Sequence, residues 1–192
     1  MARIPLDPPR TLTYRLAAWF TRRKYGTTLD PLRAMGHNMR VSTGYGLLEA
    51  QASRWKSVDR RVQDLAVMGA AVAIGCQWCV DFGYWESHTH GIPIKKIEAI
   101  SHWRDSDLFT PFERLVLHYA TAMTETPPTV TDEMVEALHG HLSEAQFVEL
   151  TMLVALENLR SRFNSAVGLT GQGFKDRCEI PSRTGRTGTA EE

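Results

Sequence analysis

Apolar residues recur at helical intervals along most of the chain, and nowhere do they alternate for long enough to require a sheet. Tyr14, Leu16, Ala17, Trp19 and Phe20 predict an amphipathic first helix that ends near Gly26. Residues 27–57 are less regular: Asp30-Pro31 is placed to open a helix, whereas Gly44 and Gly46 blur the limits of the next element. From Val58, the run VDRRVQDLAVMGAAVAI has apolar residues at helical spacing and few polar ones after Asp64, the pattern of a largely buried helix. Gly75 is placed to end it, and a further helix is expected from Gln77 to Thr89 with Gly91 as its terminator. A short helix in IPIKKIEAI comes next. Thr110-Pro111-Phe112-Glu113 then combines an N-cap, a proline at the first helical position and a capping-box glutamate. Thr131 starts TDEMVEALHGHL, and Ser143 with Gln146 forms a second capping box before a long helix reaching about Gly168. The predicted fold class is all-α.

Composition adds limits. At 192 residues, with 43% hydrophobic and 23% charged positions, the chain is sized for one domain with an extension. A chain of this length buries about 70% of its unfolded surface, so it needs no disulfide to hold a core. The 22 basic and 22 acidic residues cancel, leaving no global field to recruit nucleic acid or an acidic membrane. The short basic run Arg22, Arg23 and Lys24 reads as a solvated helix end. MARIPLDPPRTLTYRLAAWF lacks the continuous apolar core of a secretory signal, and no stretch approaches the ~20 apolar residues of a membrane span. The expected setting is therefore the reducing cytoplasm, where three cysteines suggest reactivity or metal binding more than structural bridging. After Gly171, GQGFKDRCEIPSRTGRTGTAEE has few large apolar residues and is expected to be a tail, with Cys178 a bystander thiol.

The candidate chemistry lies in IGCQWCVDFGYWESH. Two cysteines in the first turn of a helix have a physical rationale: unpaired N–H groups and the helix dipole favour the thiolate, and the spacing lets one sulfur attack a mixed disulfide on the other. By that logic Cys76 is the more acidic. Competing readings remain open. Both cysteines could be small core hydrophobes, or they could share zinc with His88 and His90. A helix would carry His88 to the far side and ~14 Å along its axis, which disfavours zinc, so no metal ligands are assigned. A thioredoxin-like site is excluded because no strands flank the motif. In the last helix, Val154, Glu157, Ser161 and Asn164 form a polar continuation of an apolar stripe, either a pocket wall or interface, or a face turned to solvent.

The chain resembles the carboxymuconolactone decarboxylase and alkylhydroperoxidase D-like proteins over roughly residues 58–170. The resemblance is carried by DLAVMGAAVAIGCQWC, GIPIKKIEAI, TPFERLVLHYATAMT and FVELTMLVALENLRSRFN. It implies an alkylhydroperoxidase D-like helical bundle with Cys-x-x-Cys at the start of a helix. Residues 1–57 would then be a helical extension and 171–192 a tail. In redox members of that family an acidic residue stands twelve positions before the first cysteine and a histidine four after the second. Asp64 holds the acidic position, shortened from glutamate; Cys76 and Cys79 match; Gly83 stands where the histidine is expected. Asp64 and Cys76 can cooperate only if the chain reverses near Gly75, which would place position 83 between thiol and carboxylate.

Ordered water, a side chain from another subunit or bound substrate could fill the gap at Gly83. Glu86 shares the face of Cys79 at ~10 Å and His90 at ~16 Å, too far for either to replace the ring directly. The resemblance implies a thiol-dependent oxidoreductase that reduces a peroxide or disulfide and is recharged by an external dithiol. It also implies no cofactor, and self-association as a trimer or hexamer. Cys76, Cys79, Asp64 and Glu86 are the candidate catalytic residues; the resemblance implies Cys79 as the sulfur that attacks peroxide, whereas the helix-start argument favours Cys76, and the choice stays open. Two alternatives stand: decarboxylase-type acid–base chemistry without redox-active cysteines, and a non-catalytic ligand-binding oligomer.

Overall fold

The computed structural model describes residues 2–178, which are helical with no strands among them. These residues form nine α-helices: α1 Leu12–Tyr25, α2 Asp30–Met35, α3 Met39–Ala52, α4 Arg60–Ile74, α5 Gln77–Thr89, α6 Ile94–Glu98, α7 Pro111–Thr124, α8 Asp132–His139 and α9 Glu144–Ala166. Short 3-10 turns occupy Ala99–Asp105 and Lys175–Arg177. No helix among the described residues is long and apolar enough to cross a membrane.

Local chemistry sets the helix limits. Both capping boxes form, Thr110 with Glu113 on α7 and Ser143 with Gln146 on α9. The irregularity expected around Gly44 and Gly46 is absent: both lie inside α3, which runs unbroken from its Asn38 cap.

The apolar helix α4 is central and packs on α5, α7 and α9. One core lies among α4, α7, α8 and α9, around Ala66, Val116, Leu138, Leu150 and Val154. A second joins α4, α5 and α7 with the segment after Gly91, around Leu65, Met68, Tyr84, Ile97 and Leu117. A buried carboxylate locks α9 to the entrance of α4: Glu149 accepts the backbone N–H groups of Ser57 and Val58, at 2.9 and 3.0 Å, and the Gln63 amide at 2.8 Å. Those bonds keep its pKa below the usual carboxylate value despite the opposing effect of burial.

The stretch expected as a tail is partly built into the fold. Residues 171–178 dock on α5, where Asp81 accepts the backbone N–H groups of Gln172, Phe174 and Lys175 at 2.6, 3.1 and 2.8 Å. Phe174 is fully buried among Trp78, Phe82 and Trp85. Cys178 packs on the second core; residues 179–192 lie outside the described residues.

Candidate active site

The chain reverses at Gly75. Its left-handed conformation, φ 77°, lets the N–H groups of Gly75 and Cys76 return to the Ala71 carbonyl and close α4. Cys76 is therefore the N-cap of α5, and its sulfur accepts the N–H of Cys79 at 3.2 Å. Cys76 and Cys79 are joined by a disulfide, with their Cα atoms 5.3 Å apart. The pair lies in a third apolar cluster with Ala71, Trp78, Leu169 and Phe174. It is nearly enclosed, Cys76 being 1% and Cys79 6% exposed.

From this reversal α4 and α5 run antiparallel, and their side chains pair in rungs. Nearest the turn, Ala71 and the two cysteines share the third apolar cluster. Next comes Gly83, where a Cβ would overlap Met68 Sδ. The space expected to hold water, another subunit's side chain or substrate is thus filled by Met68 of the same chain. At the far end Asp64 Oδ2 lies 2.7 Å from His90 Nδ1, while Arg60 reaches Asp64 at 3.4 Å and Glu86 at 3.2 Å.

The four candidate catalytic residues are consequently gathered in two places. Cys76 and Cys79 form one site; Asp64 and Glu86, with Arg60 and His90, form another. Asp64 lies seven residues before Ala71 on α4, about 10 Å along the axis, with Met68 between. Burial pushes the Asp64 carboxyl up to about 6, although Arg60 and His90 pull it down. Glu86 is half-buried against Arg60. No group of three or more His, Cys, Asp or Glu side chains among the described residues is arranged to hold a metal.

Two residues at these sites lie outside the set of candidates that the sequence supplies. The sequence offers His90 as a disfavoured zinc ligand and as a group ~16 Å from sulfur, and it pairs with Asp64 instead. Asn164 belongs to the polar line on the last helix, which the sequence leaves open between a pocket wall or interface and a solvent face: its Nδ2 donates to Cys79 Sγ at 3.3 Å. The available signal is a polar file on an apolar helix. That file is buried along its length, since Ser161 Oγ donates to Glu157 Oε1 at 2.7 Å and Arg160 joins Glu157 to Glu49. Burial raises the Glu157 pKa to about 7 against the pull of Arg160 and Ser161.

Among the described residues the fold is an all-α bundle with a disulfide across the first turn of one helix and no strand beside it. The chain belongs to the carboxymuconolactone decarboxylase family, whose profile matches residues 45–122. YnjA of Escherichia coli is 37% identical over 176 residues, spanning 90% of this chain and 93% of that protein. YdfG of Bacillus subtilis is 24% identical over 117 residues, covering 60% of this chain and 80% of that one. Among solved structures, the alkylhydroperoxidase AhpD core of a peroxidase-related protein from Ralstonia eutropha superposes with a TM-score of 0.79 at 15% identity. That match covers 91% of this chain and 94% of the other. The debrominase Bmp8 gives 0.78 at 18% identity, covering 90% and 94%. At such identities the structural likeness establishes the fold.

Proposed function

We propose that the protein is a thiol oxidoreductase of the alkylhydroperoxidase D-like type, cycling between the Cys76–Cys79 disulfide and the dithiol. The observation that carries this reading is the bonded pair itself, at the N-terminus of α5, with a hydrogen-bond donor on each sulfur. With a hydroperoxide as acceptor, a thiolate gives its electron pair to the terminal oxygen. The O–O bond breaks, the departing alkoxide takes a proton as the alcohol, and a sulfenic acid remains. The second thiol attacks that sulfur, water leaves, and the disulfide re-forms. An external dithiol returns two electrons and two protons. A disulfide acceptor takes the same course through a mixed disulfide. No cofactor enters either cycle.

A second reading, decarboxylase-type acid–base chemistry, draws on the other site. Asp64, with a pKa of about 6 beside His90, is suited to proton transfer near neutral pH. Paired substitutions separate the two. C76S and C79S should each abolish turnover of peroxide or disulfide, whereas D64N should spare it in part. Loss of turnover in D64N with full activity in both cysteine variants would overturn the oxidoreductase reading in favour of the acid–base one. Absence of turnover in the native protein with either substrate class, alongside tight ligand binding, would favour the non-catalytic alternative.

Self-association belongs to the same proposal. Leu12, Leu16, Trp19 and Phe20 on α1 stand exposed, at 81%, 67%, 58% and 57%. An apolar face of that kind is suited to contacts between copies in a trimer or hexamer.

A further inference from the structure

Asn164 sits where no ordinary core residue belongs. It is 2% exposed, near the end of α9, and its amide faces the disulfide. No protein group among the described residues donates to its Oδ1. A buried carbonyl without a donor costs about 1–3 kcal/mol, so an apolar side chain that fits the same space would be the stabilising choice for folding alone. The amide orientation is set by chemistry: a disulfide sulfur only accepts, so Nδ2 belongs on Cys79 Sγ and Oδ1 is left over.

Reduction changes that balance. Two electrons and one proton added to the disulfide give one thiolate and one thiol. A thiolate is a far stronger acceptor than a disulfide sulfur, and a thiol carries the S–H donor that Oδ1 lacks. The amide is thus better satisfied by the reduced pair than by the oxidised one.

We infer that Asn164 is a catalytic residue that makes Cys79 the attacking sulfur, its Nδ2 holding the thiolate and its Oδ1 accepting the remaining thiol proton. This inference rests on the oxidoreductase reading and deepens it. It gives Cys79 Sγ a side-chain donor, whereas among the described residues Cys76 Sγ takes only the backbone N–H of Cys79. It also explains how the pair works with Met68 standing where a relay histidine would lie. A donor fixed in the fold replaces a movable proton carrier: Asn164 sets the ionisation of the sulfur and takes up no proton.

The test needs no turnover, so its failure is distinguishable from failure of the proposed function. In the full chain carrying C76S and C178S, the ultraviolet absorbance of the Cys79 thiolate is titrated against pH with Asn164, N164D or N164L. Losing one hydrogen bond to a charged sulfur should move the midpoint up by about one pH unit or more, a tenfold loss of thiolate at neutral pH. N164D should move it furthest, because a carboxylate repels the thiolate. In the otherwise native chain, N164L should shift the equilibrium with dithiothreitol about tenfold towards the disulfide. Should N164D fail to fold, judged by circular dichroism, N164S replaces it and should shift the midpoint by a smaller step. An unchanged midpoint in a folded variant would overturn the inference, since a purely structural asparagine alters stability without moving the titration.

Discussion

Gly83 and Met68 are a matched pair, and the match is testable. Replacing a helical glycine by alanine ordinarily stabilises a protein by about 1 kcal/mol. At Gly83 the new methyl would meet Met68 Sδ in a packed core, so G83A should instead destabilise by about 1–3 kcal/mol in urea unfolding. M68A alone leaves a cavity and should cost about 2–5 kcal/mol. The double variant should cost clearly less than the sum, because each change makes room for the other. Simple additivity would mean that the two side-chain positions do not share the space. The glycine is visible in sequence as a departure from an expected histidine; the methionine opposite it is not. Spacing along one helix says nothing about which side chain of its neighbour fills a gap. His90 illustrates the converse: its distance from sulfur comes from helix geometry, but its pairing with Asp64 depends on how far α4 and α5 slide past each other.

Helix limits obey local rules and are therefore legible in sequence. The caps at Thr110, Thr131 and Ser143 and the stop at Gly75 each involve residues within one turn. The segment after α9 obeys no such rule. Its order depends on Asp81, more than 90 residues earlier, and on an aromatic cluster for which it supplies only Phe174. Composition alone therefore predicts a tail, although residues 171–178 form a strap over the disulfide cluster. Gln172 anchors the strap further, accepting from Trp78 Nε1 at 3.2 Å and donating to the Thr28 carbonyl at 2.9 Å. If this strap governs access to the sulfurs, weakening its anchor should expose them. D81N places an amide against backbone N–H donors, at a cost of about 1–3 kcal/mol to the strap. Reduction of the disulfide by a water-soluble phosphine should become about tenfold faster, with the far-ultraviolet helical signal retained. An unchanged reduction rate in folded D81N would show that reactants reach the pair by another route.

At the scale of the whole molecule, the burial of two acids couples stability to pH. The folded protein raises Asp64 from 3.8 to about 6 and Glu157 from 4.5 to about 7. Each carboxyl therefore binds its proton more tightly folded than unfolded. Their contribution to stability is full below the unfolded values and is lost as pH rises through about 6 and about 7. Other groups act oppositely: Glu49 and Glu149 are held below the ordinary carboxylate value, and they support the fold once ionised. The two sets titrate in different windows, so the decline above roughly pH 5 belongs to the raised acids. Glu157 is the cleaner probe, because Arg160 keeps Glu49 as a partner when Glu157 is neutralised, and Ser161 can still bond an amide. In E157Q the fall in unfolding free energy between about pH 5 and about pH 8 should shrink by up to about 3 kcal/mol, measured by urea denaturation at matched salt. A slope equal to that of the native protein would place the Glu157 pKa at its ordinary value, and the buried polar file of α9 would then carry no proton near neutrality.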